Sequence, residues 1–304
     1  MNNITLKQLR YVDALARYGH FRRAAESCTI SQPALSMQIK ELEVALGTLV
    51  FERGLRQVRL TTYGEQFLRR AREILNTVEE LVMLARAAND TLSGPLRIGV
   101  IPTIAPYLLP MVIRDLGLSN PGLDIQIRET MTARIIDELE DGRLDTAIIA
   151  LPVEAASLVQ VPLFREEFVL VRPLSDRDKP VPNQEELRHL RLLLLEEGHC
   201  FREQALAFCQ IRAQSSRNAL DGSSLSTLVQ MVGVGLGVTL IPEIAVAVET
   251  RSAPVDVRRF AAPLPSRQIG IVWRRSNPLD KQFETLAELV RAAGQRILAP
   301  LNIK

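Results

Sequence analysis

Cys200 and Cys209 carry the most specific chemistry in this chain of 304 residues. The segment Glu196-Glu197-Gly198-His199-Cys200-Phe201-Arg202-Glu203 follows an apolar run of strand length and reads as a loop entering a helix, with Cys200 near the helix start. A helix N-terminus and adjacent cations, here His199 and Arg202, both favour the nucleophilic thiolate. Glu196, Glu197 and Glu203 oppose that effect, so composition leaves its sign open. Cys209 follows Ala205, Leu206 and Phe208 and reads as buried. Nine helical steps span ~13.5 Å and put the two sulfurs on opposite faces, whereas a disulfide needs Cα atoms within ~7 Å. If the two pair, the helix between them must unwind, and oxidation becomes a conformational switch. On spacing alone, two unrelated buried thiols is the simpler reading, because the gap matches no standard redox motif. The third cysteine, Cys28, lies on an apolar helical stripe and reads as a small core hydrophobe.

Other chemistry is sparse. Thr103 and Thr132 each follow a strand, where ligands sit in α/β folds and where helices are also capped. Gly233-Val234-Gly235-Leu236-Gly237 ends a helix and enters a strand, the reverse of a dinucleotide loop, and reads as a tight turn. No GxxxxGK[ST], HExxH, CxxC or GxSxG motif occurs, and His20, His189 and His199 have no metal-ligand spacing, so no enzyme class, metal or cofactor is expected. With 37 Lys+Arg against 35 Asp+Glu and 47% hydrophobic residues, the chain is neither a histone-like binder nor an acidic disordered tail. Charges at Lys7, Arg10, Asp13, Arg17, Arg22 and Arg23 argue against a secretory leader. The longest uncharged run, Gly222 to Pro242, is too rich in Gly, Ser and Thr to span a membrane. A reducing cytoplasm is the expected compartment.

The elements that position these residues fall into three stretches. Residues 1–61 hold nine Lys/Arg and five acids, a net +4 that leaves −2 for the remainder. Thr5-Leu6-Lys7-Gln8 is a capping box ahead of a stripe of Leu6, Leu9, Val12 and Leu15, stopped at Gly19. Phe21, Ala24, Ala25 and Cys28 mark a second short helix. Ser31 caps a third, whose core stripe is Leu35, Ile39, Leu42 and Leu46. Gln32 and Pro33 lie in its first turn, and Pro33, Ser36, Met37 and Lys40 form the opposite face, small and polar as a major-groove helix requires. Leu49–Phe51 and Gln57–Thr61 predict a hairpin with Arg53 and Arg56 at its tip, placed for phosphate or minor-groove contact. This is the pattern of a winged helix-turn-helix; a three-helix interaction domain with a solvated polar face shares it. Thr62-Tyr63-Gly64-Glu65 then reads as a capping box for a long helix over residues 62–92. There Phe67, Ala71, Ile74, Val78, Leu81, Ala85 and Ala88 keep heptad spacing, beside Leu68, Leu75 and Val82. That stripe predicts pairing with a second copy, which would present two recognition helices to two half-sites. From Leu96 onward, apolar strand-length runs alternate with helical segments, which predicts parallel α/β sheets.

Phe21-Arg22-Arg23-Ala24-Ala25-Glu26-Ser27-Cys28, Ser31-Gln32-Pro33-Ala34-Leu35-Ser36 and Leu60-Thr61-Thr62-Tyr63-Gly64 resemble the LysR-type transcriptional regulators. Within that family, Ser93-Gly94-Pro95-Leu96-Arg97-Ile98-Gly99, Ile101-Pro102-Thr103, Pro106-Tyr107-Leu108-Leu109-Pro110 and Gly198-His199-Cys200 with Cys209 are similar to the members that sense hydrogen peroxide. The resemblance implies an α+β multidomain chain. Its parts are a winged helix-turn-helix (1–61), a dimerising linker helix (62–92) and a periplasmic-binding-protein-like regulatory domain (93–304). The two α/β lobes of the latter cover about 93–164 with 269–304, and about 165–268. It further implies that peroxide oxidises Cys200 to a sulfenic acid that forms a disulfide with Cys209, while Thr103, Thr132, His199 and Arg267, read as standing before a late strand, hold peroxide and water. Implied partners are double-stranded operator DNA, hydrogen peroxide, a dimer assembling to a tetramer, RNA polymerase and a reducing dithiol protein, with no membrane. Where many LysR-type proteins carry Arg on the recognition helix, this chain carries Met37. Two other readings stand beside it: a LysR-type regulator of a small organic effector with incidental cysteines, and a thiol peroxidase.

Overall fold

Thr5 starts the first helix as its spacing predicts. In this computed structural model, which describes residues 4–53, 58–87, 92–209 and 220–299, the Thr5 side chain accepts from the Gln8 amide while Gln8 Oε1 accepts from the Thr5 amide. The chain divides into two compact units, Met1–Ala85 and Arg86–Lys304.

The first unit contains α1 (Leu6–Tyr18), α2 (Phe21–Ser27), α3 (Gln32–Leu46), β1 (Phe51–Arg53), β2 (Val58–Leu60) and most of α4 (Thr62–Ala87). Val12 and Leu15 of α1 meet Leu35, Ile39 and Leu42 of α3 in one core, and Leu9 is buried as well. Leu6 is 42% exposed, so it stands off the predicted stripe. His20 caps α2, accepting from the Arg22 amide through Nδ1, and Ser31 caps α3. Glu43, unremarkable in sequence, is buried, and its Oε1 accepts from the Val50 and Phe51 amides, fixing the entry to the wing. The wing is antiparallel, from Phe51 opposite Leu60 to Arg53 opposite Val58. Its first strand therefore begins two residues later than expected, and Leu49 is exposed.

The cap of α4 also shifts by one residue. Thr61 rather than Thr62 accepts from the Gly64 amide, and the Thr61 hydroxyl donates to the Leu49 carbonyl. A Cβ on Gly64 would stand 2.0 Å from the Val50 carbonyl oxygen, so only glycine lets α4 start against the wing. Leu68 and Ala71 are buried and Arg72 pairs with Asp13, which ties the first turns of α4 to its own unit. Beyond them Ile74 and Leu81 of the heptad stripe are exposed. Ala88 lies outside the described residues, as do the side chains of Val82 and Ala85.

The second unit runs β3 (Gly94–Val100), α5 (Ala105–Ser119), β4 (Leu123–Glu129), α6 (Thr132–Glu140), β5 (Thr146–Leu151), β6 (Leu158–Pro173), α7 (Gln184–Leu187), β7 (Leu193–Leu195), α8 (Cys200–Cys209), β8 (Leu220–Gly222), α9 (Leu225–Gly233), β9 (Thr239–Pro242), α10 (Val246–Glu249), β10 (Val255–Arg259), β11 (Ser266–Arg274) and α11 (Asp280–Leu298). The main sheet has the order β10-β6-β11-β5-β3-β4, with β9 also on β6. The expected parallel pairing holds for β3 with β4 and β5, and for β7 with β8. The long strands β6 and β11 are antiparallel to each other and to their other neighbours, a correction to the all-parallel expectation. Only the second half of β6 stands out in the sequence as an apolar run, Phe168–Val171, because Pro162, Arg165, Glu166 and Glu167 interrupt the pattern before it. Through β6, residues 158–167 face β11 and residues from Phe168 onward face β9 and β10. The glycine-rich turn joins α9 to β9, in the helix-to-strand order that excludes a nucleotide loop.

Candidate functional site

Helix α8 begins at Cys200 and ends at Cys209, so the two free thiols occupy opposite ends of one ten-residue helix. Gly198, two residues before Cys200, takes φ +95°, which side chains at that position rarely permit. A Cβ there would lie 3.9 Å from Met131, so the loop ahead of Cys200 rests against the residue preceding Thr132.

The two expected cations beside Cys200 are absent in effect. His199 is buried, and desolvation holds its pKa below the ordinary 6.5, which keeps the imidazole neutral at pH 7. Arg202 turns inward, where Nη1 donates to the Leu195 carbonyl at 2.6 Å and to Asp221 Oδ1 at 2.6 Å. Its charge is used to pin α8 to β7 and β8. The positive end of the α8 dipole is what Cys200 retains from its own element.

A buried polar cluster stands against Phe201, the residue after Cys200. The Arg267 guanidinium carbon lies 5.2 Å from the Phe201 ring centre, and Phe201 meets Phe168 edge-on at 4.8 Å. Arg267 Nη1 donates to Thr103 Oγ1 at 2.8 Å, and its Nε donates to Glu166 Oε1 at 2.7 Å. Arg267 belongs to β11 itself rather than preceding a strand, and in register it faces Glu166 of β6. Neither threonine caps a helix: α5 and α6 are preceded by Ile104 and Met131, without side-chain caps. Because Thr103 Oγ1 accepts from Arg267, its own proton remains to be donated elsewhere. Thr132 Oγ1 is buried with no hydrogen-bond partner among the described residues. Such a group is costly to keep and marks a place for a polar ligand or water.

Cys209 sits in the opposite environment. It is fully buried, and desolvation pushes its pKa up to about 11. Arg188 Nε donates to its carbonyl at 3.3 Å, and the preceding Phe208 packs edge-on with Phe260 at 5.0 Å. A cavity of about 620 Å³ opens beside this end, bounded by Arg188, Phe208, Phe260 and Pro182.

On the first unit, Gln32, Pro33, Met37 and Lys40 are exposed along α3 and Ser36 is half-buried, so the polar face stands clear of the core. Arg53 lies in β1 with its side chain outside the described residues, and Arg56 lies outside them altogether.

Residues 6–65 match the description "Bacterial regulatory helix-turn-helix protein, lysR family", and residues 89–295 match "LysR substrate binding domain". The chain belongs to the LysR family. Among LysR-type relatives, the "DNA-binding transcriptional dual regulator OxyR" of Escherichia coli (strain K12) is 40% identical over 95% of this chain and 95% of its own. A "probable hydrogen peroxide-inducible genes activator" of Streptomyces viridosporus is 44% identical over 95% of this chain and 94% of its own. Of solved structures, a full-length OxyR variant from Pseudomonas aeruginosa matches with a TM-score of 0.78 and 41% identity, covering 95% of each chain. A hydrogen-peroxide-bound OxyR variant from Corynebacterium glutamicum matches with a TM-score of 0.67 and 37% identity, covering 98% of this chain and 94% of that one. As a LysR-type regulator, the chain carries its helix-turn-helix match on α1–α3 and the wing.

Sequence reasoning missed Glu166 and Phe201, and also Tyr107, whose hydroxyl donates to Glu249 Oε1 at 2.6 Å while Ser226 donates to Oε2. Glu166 announces itself only through the β6–β11 register. Tyr107 and Glu249 are 142 positions apart, and no local pattern links them. Among the described residues no helix is long and apolar enough to cross a membrane.

Proposed function

We propose that this LysR-type regulator responds to hydrogen peroxide through Cys200 and signals by a reversible Cys200–Cys209 disulfide. The observation that carries the reading is the placement of two unlike thiols at the two ends of α8, one at the polar helix start and one sealed in apolar surroundings. The near-full-length similarity to peroxide-inducible activators supports it. The Cys200 sulfur attacks one peroxide oxygen. An S–O bond forms and the O–O bond breaks, and the departing oxygen takes the thiol proton to leave as water. Sulfur is oxidised by two electrons and peroxide reduced by two. Thr103 and Thr132 supply hydroxyls and His199 a neutral imidazole to hold peroxide and water, with Arg267 orienting Thr103.

The sulfenic acid then condenses with the Cys209 thiol, releasing water. Helical Cα atoms nine steps apart stand ~13.5 Å from each other, beyond the ~7 Å a disulfide spans, so α8 unwinds. A cellular dithiol protein resets the pair by thiol–disulfide exchange. The remodelling alters how copies assemble: residues 62–92 form the dimerising linker, residues 93–304 the two-lobed regulatory domain, and dimers join as a tetramer. Residues 1–61 read double-stranded operator DNA, with Gln32, Pro33, Ser36, Met37 and Lys40 in the major groove and Arg53 and Arg56 on the flanking backbone. The cytoplasm is the compartment, and RNA polymerase the partner at promoters.

The test is peptide mass analysis of full-length protein after stoichiometric peroxide. A Cys200–Cys209 disulfide is expected, and a persistently reduced Cys200 overturns the reading. One peroxide consumed per chain distinguishes a sensor from a thiol peroxidase, which would turn over.

A further inference from the structure

Glu166 is the most deeply buried acid beside the site, and the sensing chemistry above gives it no role. It stands on β6 directly across from Arg267 on β11, and the paired side chains are 0% and 1% exposed. Nε and Nη2 of Arg267 both engage Glu166 Oε1, at 2.7 and 2.6 Å. That leaves Nη1 on the outer edge of the guanidinium, where it donates to Thr103 Oγ1. The guanidinium carbon stands over the ring of Phe201, the residue after Cys200. Arginine is a flexible side chain with a rigid fork, so a carboxylate gripping one edge dictates where the other edge points. The neighbouring charges are committed elsewhere: Arg259 pairs with both Glu167 and Glu243.

We propose that Glu166 is a positioning residue for peroxide reduction at Cys200, acting through Arg267 to hold Thr103 so that its hydroxyl proton faces the reacting peroxide. The proposal rests on the reading that Cys200 is the peroxide-reactive thiol. A guanidinium donating to Thr103 Oγ1 occupies one lone pair and forces the hydroxyl to donate away from Arg267. That proton stabilises negative charge gathering on the departing peroxide oxygen as the O–O bond breaks, and it is not transferred in the step. With Glu166 gone, Arg267 is an unpaired buried cation that must reorient, and Thr103 loses its fixed direction.

The experiment compares two reactions of Cys200 in the full-length protein: oxidation by hydrogen peroxide and alkylation by iodoacetamide. Alkylation needs the thiolate and access but no donor to a departing oxygen, so the ratio of the two rates isolates the peroxide-specific contribution. In Glu166→Ala the peroxide rate is expected to fall about tenfold or more, the scale of one charge-assisted interaction, while alkylation holds within about twofold. Glu166→Gln keeps an acceptor oxygen at the same reach and should recover most of the ratio. Adding Thr103→Val to Glu166→Ala should cost little more, because both changes remove one device. Emission from the buried Trp273 reports whether each variant is folded. An unchanged peroxide-to-alkylation ratio in folded Glu166→Ala overturns the positioning role; where Glu166→Ala does not fold, Glu166→Met, which keeps the side-chain length without an acceptor oxygen for Arg267, takes its place with the same expected loss. A wild-type Cys200 that ignores peroxide overturns the sensing reading, and the positioning role with it.

Discussion

The two ends of α8 are built for opposite tasks. At the start, Cys200 follows a left-handed glycine and a neutral buried histidine, and the glycine rests against Met131, next to the Thr132 hydroxyl that has no partner among the described residues. At the finish, Cys209 is fully buried, next in sequence to the Phe208–Phe260 contact, and burial holds its thiol protonated. A pair of equally reactive thiols would compete for peroxide. Under the proposed function one end reacts first and the other only responds, once the first has become an electrophile. On that reading the helix keeps the two steps separate in space until unwinding joins them.

The largest effect should come from exchanging the chemistry at one end. Cys200→Ser is expected to abolish the peroxide-induced disulfide and any oxidation-dependent change in the operator footprint. Cys209→Ser should leave the first step intact and stop it at a sulfenic acid, which dimedone labelling detects by mass. Equal peroxide reactivity of the two single variants would erase the distinction between the ends.

Next comes the thiol pKa itself. Raising Cys209 from 9.0 to about 11 lowers its thiolate fraction about 100-fold at neutral pH. In folded Cys200→Ser protein, iodoacetamide should therefore modify Cys209 about 100-fold more slowly than in unfolded protein at the same pH. The rate should keep climbing with pH toward 11 instead of levelling near 9. His199 gives the complementary signature. Its folded pKa lies below the unfolded value, so its neutral form contributes stability above pH ~6.5 that is lost as pH falls through the folded pKa. His199→Gln should flatten the acid limb of a Tm-against-pH curve.

Thr132 separates function from stability. Its hydroxyl is buried without a partner among the described residues, so Thr132→Val should raise stability by about 1 kcal/mol while slowing peroxide oxidation of Cys200 about tenfold. Chemical denaturation and peroxide kinetics on the same sample check the two signs. A variant that gains stability with no loss of rate would remove Thr132 from the site.

The unequal legibility of these features has a physical origin. Helix caps at Thr5 and Ser31, the α3 core stripe and the span of α8 depend on residues within a few positions of one another, and local spacing reveals them. The Thr61–Gly64 cap was off by one, because what selects Thr61 is the Leu49 carbonyl, brought beside it by the wing. The buried cluster around Arg267 is the extreme case. Thr103 comes from the turn between β3 and α5, and Glu166, Phe201 and Arg267 from three separate elements, and the antiparallel pairing of β6 with β11 that unites two of them is invisible to local spacing. Arg202 shows the converse error. Its proximity in sequence suggested help for the Cys200 thiolate, but the helical turn carries its side chain inward to Asp221. Adjacent positions on a helix point in different directions, so nearness along the chain is a poor guide to which charges a thiol feels.

The smallest expected effect sharpens the comparison at the closing end. Arg188 holds the Cys209 carbonyl through one hydrogen bond of 3.3 Å, which resists unwinding of the last turn. Arg188→Met removes that donor while keeping an unbranched side chain against the neighbouring cavity. Sulfenic acid formation should be unchanged, since Cys200 lies at the far end of α8. Disulfide closure should quicken about twofold to fivefold, the kinetic equivalent of one weak hydrogen bond no longer broken on the way to the transition state. Stopped-flow traces resolving the two phases distinguish the outcomes. Acceleration confined to the second phase means that the helix end is the barrier to closure. An unchanged second phase means that Cys209 leaves its buried site after a slower event elsewhere in the unit.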